Sequence, residues 1–136
     1  MRVVFLYLFL LSLDSIAESV AVSSVVRVYD GDTITVNIDE WPSILGERIG
    51  IRIRGVDTPE LRGVCEAEKE AARAARDFTR DLVFGADQVM LADLERGKYF
   101  RIVADVYADG VSVAELLLQA NLARPYEGGS RLPWCD

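Results

Sequence analysis

Two arginines and two carboxylates lie within the nine residues RIRGVDTPE, residues 52–60. Arg52 and Arg54 have the parity of one face of a strand, and Asp57 and Glu60 follow where that strand gives way to a Thr-Pro turn. Guanidinium groups bind phosphate oxygens and stabilise the negative charge that develops on a reacting phosphorus, and a carboxylate can take a proton from an attacking water. The stretch therefore has the residue types of phosphate chemistry, although an arginine beside an acid is usually only a solvated ion pair.

Two more acids lie in the turn VYDGDT, residues 28–33, where Asp30 and Asp32 bracket a tight turn between two strand-like runs. If the strands belong to one closed sheet, Asp32 and Asp57 can lie side by side. Converging carboxylates repel each other and favour a hard cation with oxygen ligands, Ca²⁺ or Mg²⁺. The same acids are also ordinary turn residues that bond to nearby backbone. We prefer that second interpretation for Asp30 alone, and both remain open for Asp32 with Asp57.

The composition excludes several kinds of site. The 136 residues include no histidine and only two cysteines, which excludes serine–histidine nucleophile pairs, histidine-ligated zinc and four-cysteine zinc sites. Any metal would have oxygen ligands. With 15 basic and 22 acidic residues the net charge is −7, which argues against loose, nonspecific binding to nucleic acid.

The N-terminal segment is typical of a secretory signal peptide. A positive charge near the start, an apolar run over 3–13 and small residues at Ala17 and Ser19 predict a signal peptide over 1–19, with cleavage after Ala17 or Ser19. The apolar run is too short to span a bilayer. The sequence therefore predicts one exported domain over 20–136, periplasmic or secreted, with no stable membrane association after cleavage.

Export would place Cys65 and Cys135 in an oxidising compartment, where an even count of two suggests one disulfide. Closing a loop of this length would stabilise the fold by ~4 kcal/mol in the chain-entropy model. The alternative is a pair of free thiols.

The elements that must position these residues are mainly strands, with alternating apolar and polar residues and Asp-Gly turns between them. The pattern predicts strands over 25–30, 33–38, 47–56, 88–94 and 99–107, a long helix over 66–84 and a shorter helix over 111–123. We therefore expect an α+β, mainly β fold: a five-stranded OB-like barrel with the long helix between strands three and four and the shorter helix after strand five.

The long helix is predicted from its Ala, Glu and Arg content, with Gly85 as its C-cap. Its predicted apolar stripe consists of Ala67, Ala71, Ala74, Ala75, Phe78 and Leu82.

The start of the fifth predicted strand carries further candidates. Lys98 and Tyr99 precede Arg101 and could hold a phosphate and stack on a base. A charged turn and a half-buried strand aromatic are equally good interpretations of the same two residues.

Four stretches, in this order and with compatible spacing, resemble the staphylococcal nuclease (thermonuclease) family: VYDGDT (28–33), RIRGVDTPE (52–60), KYFRIVADVYADG (98–110) and LLLQANLA (116–123). The resemblance covers roughly residues 25–126. It implies an OB-fold and a secreted, Ca²⁺-dependent nuclease that cleaves DNA and RNA.

By position, the resemblance implies a role for each site residue. Asp32 and Asp57 match the calcium carboxylates, and the Thr58 backbone carbonyl is a further ligand. Glu60 matches the proposed general base. Arg52 and Arg101 match the two arginines that, with the metal, stabilise a phosphorane-like transition state. Lys98, Tyr99 and Arg54 are then candidates for substrate binding.

The chain also departs from the family pattern. Phe100 stands where the family commonly has glycine, the segment between Glu60 and the long helix is only LRGVC, and Tyr126 is the one aromatic near the family's nucleotide-facing tyrosines. The family's C-terminal helix is absent from the pattern. We expect Cys65–Cys135 to hold the shortened tail in its place.

Two other functions compete with a nuclease. One is a non-catalytic OB-fold module that binds nucleic acid or a protein. The other is an exported domain whose acids bind Ca²⁺ for stability alone. The presence of all five matching acids and arginines favours the nuclease, acting on DNA, RNA or both as a monomer.

Overall fold

The computed structural model describes residues 18–136. The predicted signal peptide lies outside these residues, apart from Glu18 and Ser19. Within the described part of the chain, no helix is both long enough and apolar enough to cross a membrane.

The described residues contain nine strands and three helices. The strands are β1 Ser19–Ala21, β2 Ser24–Asp30, β3 Thr33–Asn37, β4 Ile49–Ile53, β5 Val56–Asp57, β6 Val89–Arg96, β7 Ile102–Ala108, β8 Val111–Ser112 and β9 Arg124–Pro125. The helices are α1 Ser43–Gly46, α2 Glu66–Gly85 and α3 Val113–Gln119.

Six strands pair in the order β1-β6-β7-β4-β3-β2, with β8 added against β7. The β4–β7 pair is parallel and the other pairs of this sheet are antiparallel. A separate antiparallel pair, β5–β9, places Asp57 opposite Arg124. The mainly β fold and its five principal strands are thus confirmed.

The prediction of a closed five-stranded barrel needs correction. The strand pairing is an open path, and its two ends, β1 and β2, follow each other along the chain instead of pairing. The short elements β1, α1, β5, β8 and β9 were not predicted, because stretches of two to four residues show no periodicity. The predicted helix over 111–123 is also shorter, because β8 takes its first two residues and α3 ends at Gln119.

The core lies on the face of the sheet that carries the aliphatic residues of the central strands. Its fully buried large side chains include Ile34, Val36, Ile51, Ile53, Leu91 and Val106, joined by Val113 and Leu117 of α3. The alternation predicted for β4 is confirmed, since Ile51 and Ile53 are buried while Arg52 points to the other face. Burial therefore fixes the register that orients Arg52.

Helix α2 confirms the predicted long helix and half of its predicted apolar stripe, and it ends one residue later than predicted. The buried residues are Glu68, Ala72, Ala75, Thr79 and Val83, whereas Ala67, Ala71 and Ala74 are exposed. Three members of the predicted stripe are confirmed, since Ala75 is buried and Phe78 and Leu82 pack against the core, partly buried. Gly85 is the last helical residue and Ala86 is the C-cap. Alanines occur on several sides of the helix, so the sequence does not show which of them are buried. The segment that packs against the helix determines this.

That segment is the Asp-Gly-Asp turn. A Cβ at Gly31 would lie 2.8 Å from Cβ of Ala75, so only glycine lets the turn approach the helix this closely. The buried Thr79 hydroxyl donates a hydrogen bond of 2.6 Å to the Gly31 carbonyl. Helix α2 therefore holds the turn that carries Asp32.

The C-terminal tail, residues 127–136, contains no helix or strand. The predicted Cys65–Cys135 disulfide joins it to the start of α2, with 6.2 Å between the two Cα atoms. Arg124 also holds the tail, donating to the carbonyls of Leu132 at 3.2 Å and Pro133 at 3.0 Å. Its guanidinium carbon lies 3.6 Å from the ring centre of Trp134.

A candidate active site at the end of strand β4

Arg52 joins the two acids that were predicted to converge. Its Nη1 lies 3.0 Å from Oδ2 of Asp32, and its Nη2 lies 3.7 Å from Oδ1 of Asp57. The β3–β4 register places Thr33 opposite Arg52, which brings the Asp32 turn to the end of β4. Asp32 and Asp57 are only 5% and 2% exposed. Two buried carboxylates at this spacing require positive charge beside them.

Asp32 also holds the loop that follows β5. One of its oxygens accepts a 2.9 Å hydrogen bond from the Thr33 hydroxyl, and the other accepts a 2.9 Å bond from the Thr58 backbone N–H. The turn interpretation and the ligand interpretation of Asp32 are therefore compatible, because the bonds to backbone and hydroxyl fix the carboxylate in place.

The donor set can hold a hard cation. Asp32 and Asp57 supply carboxylate oxygens and Thr58 a backbone carbonyl, which are the ligand types that Ca²⁺ and Mg²⁺ prefer. The Thr58 hydroxyl oxygen is buried and has no hydrogen-bond partner in the described residues. An unpartnered polar atom beside two buried acids is consistent with a site that accepts a further polar group or ion.

A second cluster of potential ligands lies elsewhere. Cys65, Glu68 and Cys135 place ligand atoms within 4.8 Å of one another. Both sulfurs belong to the disulfide, so neither is a thiolate, and thiolates are the cysteine form that binds metals. This cluster is not a metal site in the oxidised protein.

Glu60, the predicted general base, lies at the edge of the site. Its side chain is 47% exposed and contacts Arg131 through a close ion pair. The same guanidinium donates from Nε to Oδ1 of Asp57 at 2.7 Å and from Nη2 to the Thr58 carbonyl at 3.2 Å. Arg131 was not predicted as a site residue. The signal available was its position four residues before a predicted disulfide cysteine.

Asp30 accepts a hydrogen bond from backbone, in keeping with the structural role preferred for it, and its carboxylate also lies near the acids of the site. Burial raises the pKa of Asp30, and the negative charges of Asp32 and Glu60 raise it further. A 3.0 Å hydrogen bond from the Leu61 N–H and the nearby Arg131 oppose that shift. The Asp30 carboxylate therefore serves as a backbone acceptor and adds negative charge to the site.

The neighbouring acids also change the pKa of Arg131. Burial lowers the pKa of Arg131, but its hydrogen bonds to Glu60 and Asp57 outweigh burial and leave the pKa above its ordinary value. Arg131 is thus charged whenever the acids are ionised.

Arg101, the second predicted phosphate-binding arginine, reaches the same face of the sheet without touching these acids. Its side chain lies over Gly50, where an added Cβ would be 3.0 Å from Cγ of Arg101. Gly50 precedes Arg52 by two residues on β4 and so shares its face. The described residues include no ion-pair partner for Arg101. Its guanidinium is therefore available to a ligand.

The turn before Arg101 exposes two aromatic side chains. Tyr99 is 86% exposed and Phe100 is 90% exposed, and both have positive φ. Strand β7 begins only at Ile102, so the half-buried strand position considered for Tyr99 is wrong. Lys98 is likewise exposed. Neither Lys98 nor Tyr99 contacts the acids in this arrangement.

Arg54 lies two residues beyond Arg52 on the same face and forms ion pairs with acids of strands β6 and β7. Its guanidinium lies 3.2 Å from Asp105 and 3.6 Å from Glu95. It lines a cleft of about 440 Å³ together with Arg52, Val103 and Tyr126. The Arg52 guanidinium carbon lies 5.8 Å from the Tyr126 ring centre. The cleft thus adjoins the acids through Arg52.

Comparison with known proteins identifies relatives of this chain. Residues 50–131 match the family described as staphylococcal nuclease homologue. Endonuclease YncB of Bacillus subtilis is 35% identical over 100 residues, 72% of this chain and 44% of YncB. The SPbeta prophage-derived endonuclease YokF of Bacillus subtilis is 34% identical over 72% of this chain and 32% of its own.

The thermonuclease of Staphylococcus hyicus is 34% identical over 101 residues, 74% of this chain and 56% of its own. The chain therefore spans less than two thirds of the length of each of these relatives. The family match covers more than half of the chain and contains Arg52, Asp57, Glu60 and Arg101. With its mainly β, OB-type architecture, the chain belongs to the staphylococcal nuclease family.

Proposed function

We propose that this protein is an exported, calcium-dependent nuclease that hydrolyses phosphodiester bonds of DNA, RNA or both. The observation that carries the proposal is the Asp32–Arg52–Asp57 cluster, in which one arginine contacts two almost fully buried carboxylates. A cluster of this kind has a place for a cation and a group that binds phosphate. The endonuclease and thermonuclease names of the relatives support the reaction class.

Each side chain has a role that its position allows. Arg52, already held by Asp32, binds a phosphate oxygen. Arg101 approaches from the residue just before the neighbouring strand β7 to stabilise charge on the phosphorane-like transition state. Glu60, partly exposed at the edge of the site, accepts the proton of the attacking water. A bound Ca²⁺ held by Asp32, Asp57 and the Thr58 carbonyl would supply Lewis-acid stabilisation of the same charge.

Calcium is favoured over magnesium by the donor set. A buried backbone carbonyl beside two carboxylates suits the flexible, oxygen-rich coordination of Ca²⁺, whereas Mg²⁺ demands near-ideal octahedral geometry and keeps more of its water. The resemblance to the thermonuclease family points to the same ion.

The substrate would bind in the cleft beside the acids. Arg52 and Tyr126 line its wall, and the exposed Lys98 and Tyr99 lie on the turn before Arg101, so both phosphates and bases have partners. Because the net charge is −7, binding must depend on these local cations, and cleavage should weaken steeply with salt.

Export is part of the proposal. Strand β1 begins at Ser19, and the Asp93 N–H donates to the Glu18 carbonyl, so cleavage after Ala17 would leave β1 whole and cleavage after Ser19 would shorten it. The Cys65–Cys135 disulfide suits an oxidising compartment. We propose cleavage after Ala17 and action in the periplasm or outside the cell as a monomer.

A non-catalytic OB-fold binding module is the second candidate. The ion pair between Arg131 and Glu60 favours it, because a carboxylate oxygen occupied by an arginine is not free to contact the attacking water. A module that binds without cutting would keep the cleft and lose the chemistry.

The test is cleavage of heat-denatured and duplex DNA, and of RNA, at low salt with Ca²⁺, with Mg²⁺ and with chelator. We expect calcium-dependent cleavage that chelator abolishes. Arg101→Ala and Glu60→Gln should each lower turnover by at least ~10²-fold, whereas Arg73→Ala, on the exposed side of α2, should not. If the wild type binds nucleic acid and does not cleave it under any of these conditions, the protein is a binding module instead.

A further inference from the structure

Arg131 donates hydrogen bonds to two of the residues assigned to the cation. Its guanidinium bonds Oδ1 of Asp57 at 2.7 Å and the Thr58 carbonyl at 3.2 Å, and it also pairs with Glu60. Of the three ligands assigned to calcium, only Asp32 is outside its contacts, and Asp32 pairs with Arg52. One side chain therefore engages two of the assigned ligands and the assigned base together.

The tail holds Arg131 at this position through several independent anchors. The Cys65–Cys135 disulfide fixes the chain four residues beyond it. Arg124, which lies opposite Asp57 in the β5–β9 pair, donates to the carbonyls of Leu132 and Pro133 immediately after Arg131. Anchors on this scale give a tethered group a high effective concentration at its site.

We propose that Arg131 is a built-in competitor of the metal ion, which sets how much calcium this site requires. A cation bound by Asp57 and the Thr58 carbonyl would be held by two residues that the guanidinium now contacts. Two positive charges this close repel each other, so the arginine must leave before the ion is fully bound. The proposal rests on the calcium site of the proposed function and adds its control: in the calcium-free protein Arg131 neutralises the acids and ties up Glu60.

The strength of the competition depends on how strongly the acids hold the Arg131 guanidinium. The guanidinium lies between the carboxylates of Asp57 and Glu60 and contacts both, so without it the two would repel each other with less positive charge nearby to offset the repulsion. Charge-assisted hydrogen bonds to a nearly buried acid stabilise by amounts that correspond to about a tenfold change in affinity. Removing Arg131 should therefore tighten calcium binding by about tenfold.

The experiment is calorimetric titration of the disulfide-bonded protein with Ca²⁺ in the absence of nucleic acid, comparing the wild type with Arg131→Gln. Arg62→Gln is the matched control, because Arg62 is exposed two residues beyond Glu60 and its loss changes the net charge by the same amount. We expect a Kd about tenfold lower in Arg131→Gln and less than threefold lower in Arg62→Gln.

Two results would overturn the competitor role, and they differ in what they say about the proposed function. Equal or weaker calcium binding by Arg131→Gln, with calcium-dependent cleavage intact in the wild type, rejects the competitor and keeps the nuclease. Calcium binding by neither the wild type nor Arg131→Gln rejects the calcium site and the competitor together. Melting temperatures measured in chelator would show that Arg131→Gln is folded in either case.

Discussion

Arg131 and Asp57 are 74 residues apart in the chain, yet Nε of the arginine lies 2.7 Å from Oδ1 of the acid. The pair joins the C-terminal tail to the end of β5, and Asp57 is almost fully buried there. Since Arg52 approaches the same carboxylate oxygen from β4, Asp57 lies between two guanidinium groups. The negative charge of the site is therefore offset in part by two arginines, Arg52 and Arg131.

Replacing Asp30 with Asn should stabilise the metal-free protein at neutral pH. The pKa of Asp30 is raised by burial and by Asp32 and Glu60, so ionisation opposes folding: stability is full below the carboxyl's unfolded pKa and falls as the pH rises through its folded pKa. The neutral amide can still accept the Leu61 N–H. After solvent screening we expect about 0.5 kcal/mol, or roughly 3 °C in melting temperature.

The measurement is thermal unfolding of wild type and Asp30→Asn in chelator at pH 7 and at pH 3. The advantage of the variant should be present at pH 7 and absent at pH 3, where the native carboxyl is neutral as well. A variant that melts lower at pH 7 would show that the acid's hydrogen bond outweighs the repulsion.

The buried hydrogen bond from Thr79 of α2 to the Gly31 carbonyl of the Asp-Gly-Asp turn should contribute measurably to the free energy of unfolding. Thr79→Val keeps the side-chain shape and leaves the Gly31 carbonyl without its 2.6 Å donor. We expect a loss of about 1–3 kcal/mol in the free energy of unfolding, measured by urea denaturation. Thr35→Val, at a partly exposed position of β3, is the matched control and should change stability by less than about 0.5 kcal/mol.

Much of the fold could be predicted from local pattern. Alternation in β3 and β4, the Asp-Gly turn after Asp30 and the helical composition of 66–84 each determine an element from its own residues. The short strands β5 and β9 could not be predicted, because each has two residues and exists only by pairing with the other. Whether the sheet closes into a barrel depends on all strands together and has no local signal, which is why the predicted closure was wrong.

The site divides in the same way. Convergence of Asp32 and Asp57 followed from their places at strand ends, and Arg52 from strand parity. Arg131 lies in a Gly-Gly-Ser and Leu-Pro stretch with no periodicity, and its position depends on the disulfide and on Arg124, two contacts made far away in the chain. The outward position of Tyr99 and Phe100 depends on positive φ in a turn, which non-glycine residues seldom adopt and sequence pattern does not predict.

The disulfide should be a main source of stability for this small domain. Cys65 and Cys135 enclose a 70-residue separation, for which the chain-entropy model gives ~4 kcal/mol. The double variant Cys65→Ala/Cys135→Ala should unfold at a correspondingly lower urea concentration than the oxidised wild type. Reductant should shift the wild type toward the variant and leave the variant unchanged. An unfolded wild type that titrates two free thiols would contradict the bond.

The close approach of Arg101 to Gly50 offers a test of that arginine without removing it. A methyl group at Gly50 would lie 3.0 Å from Cγ and 3.6 Å from Cδ of Arg101, so the side chain must shift to accommodate it. If Arg101 has the proposed role at the transition state, small displacements of it are costly, so Gly50→Ala should lower kcat by roughly 10- to 100-fold. Stability should change little, since Gly50 has ordinary strand conformation and the clash is with a flexible side chain.

A double-mutant cycle on calcium-dependent DNA cleavage decides whether Gly50 acts through Arg101. If it does, Gly50→Ala/Arg101→Ala should be no slower than Arg101→Ala alone, because the displaced group is already gone. Losses that instead multiply in the double variant would mean that the methyl group disturbs β4 and Arg52 directly. In that case the glycine would serve the strand that carries the first arginine, and the placement of the second would depend on other contacts.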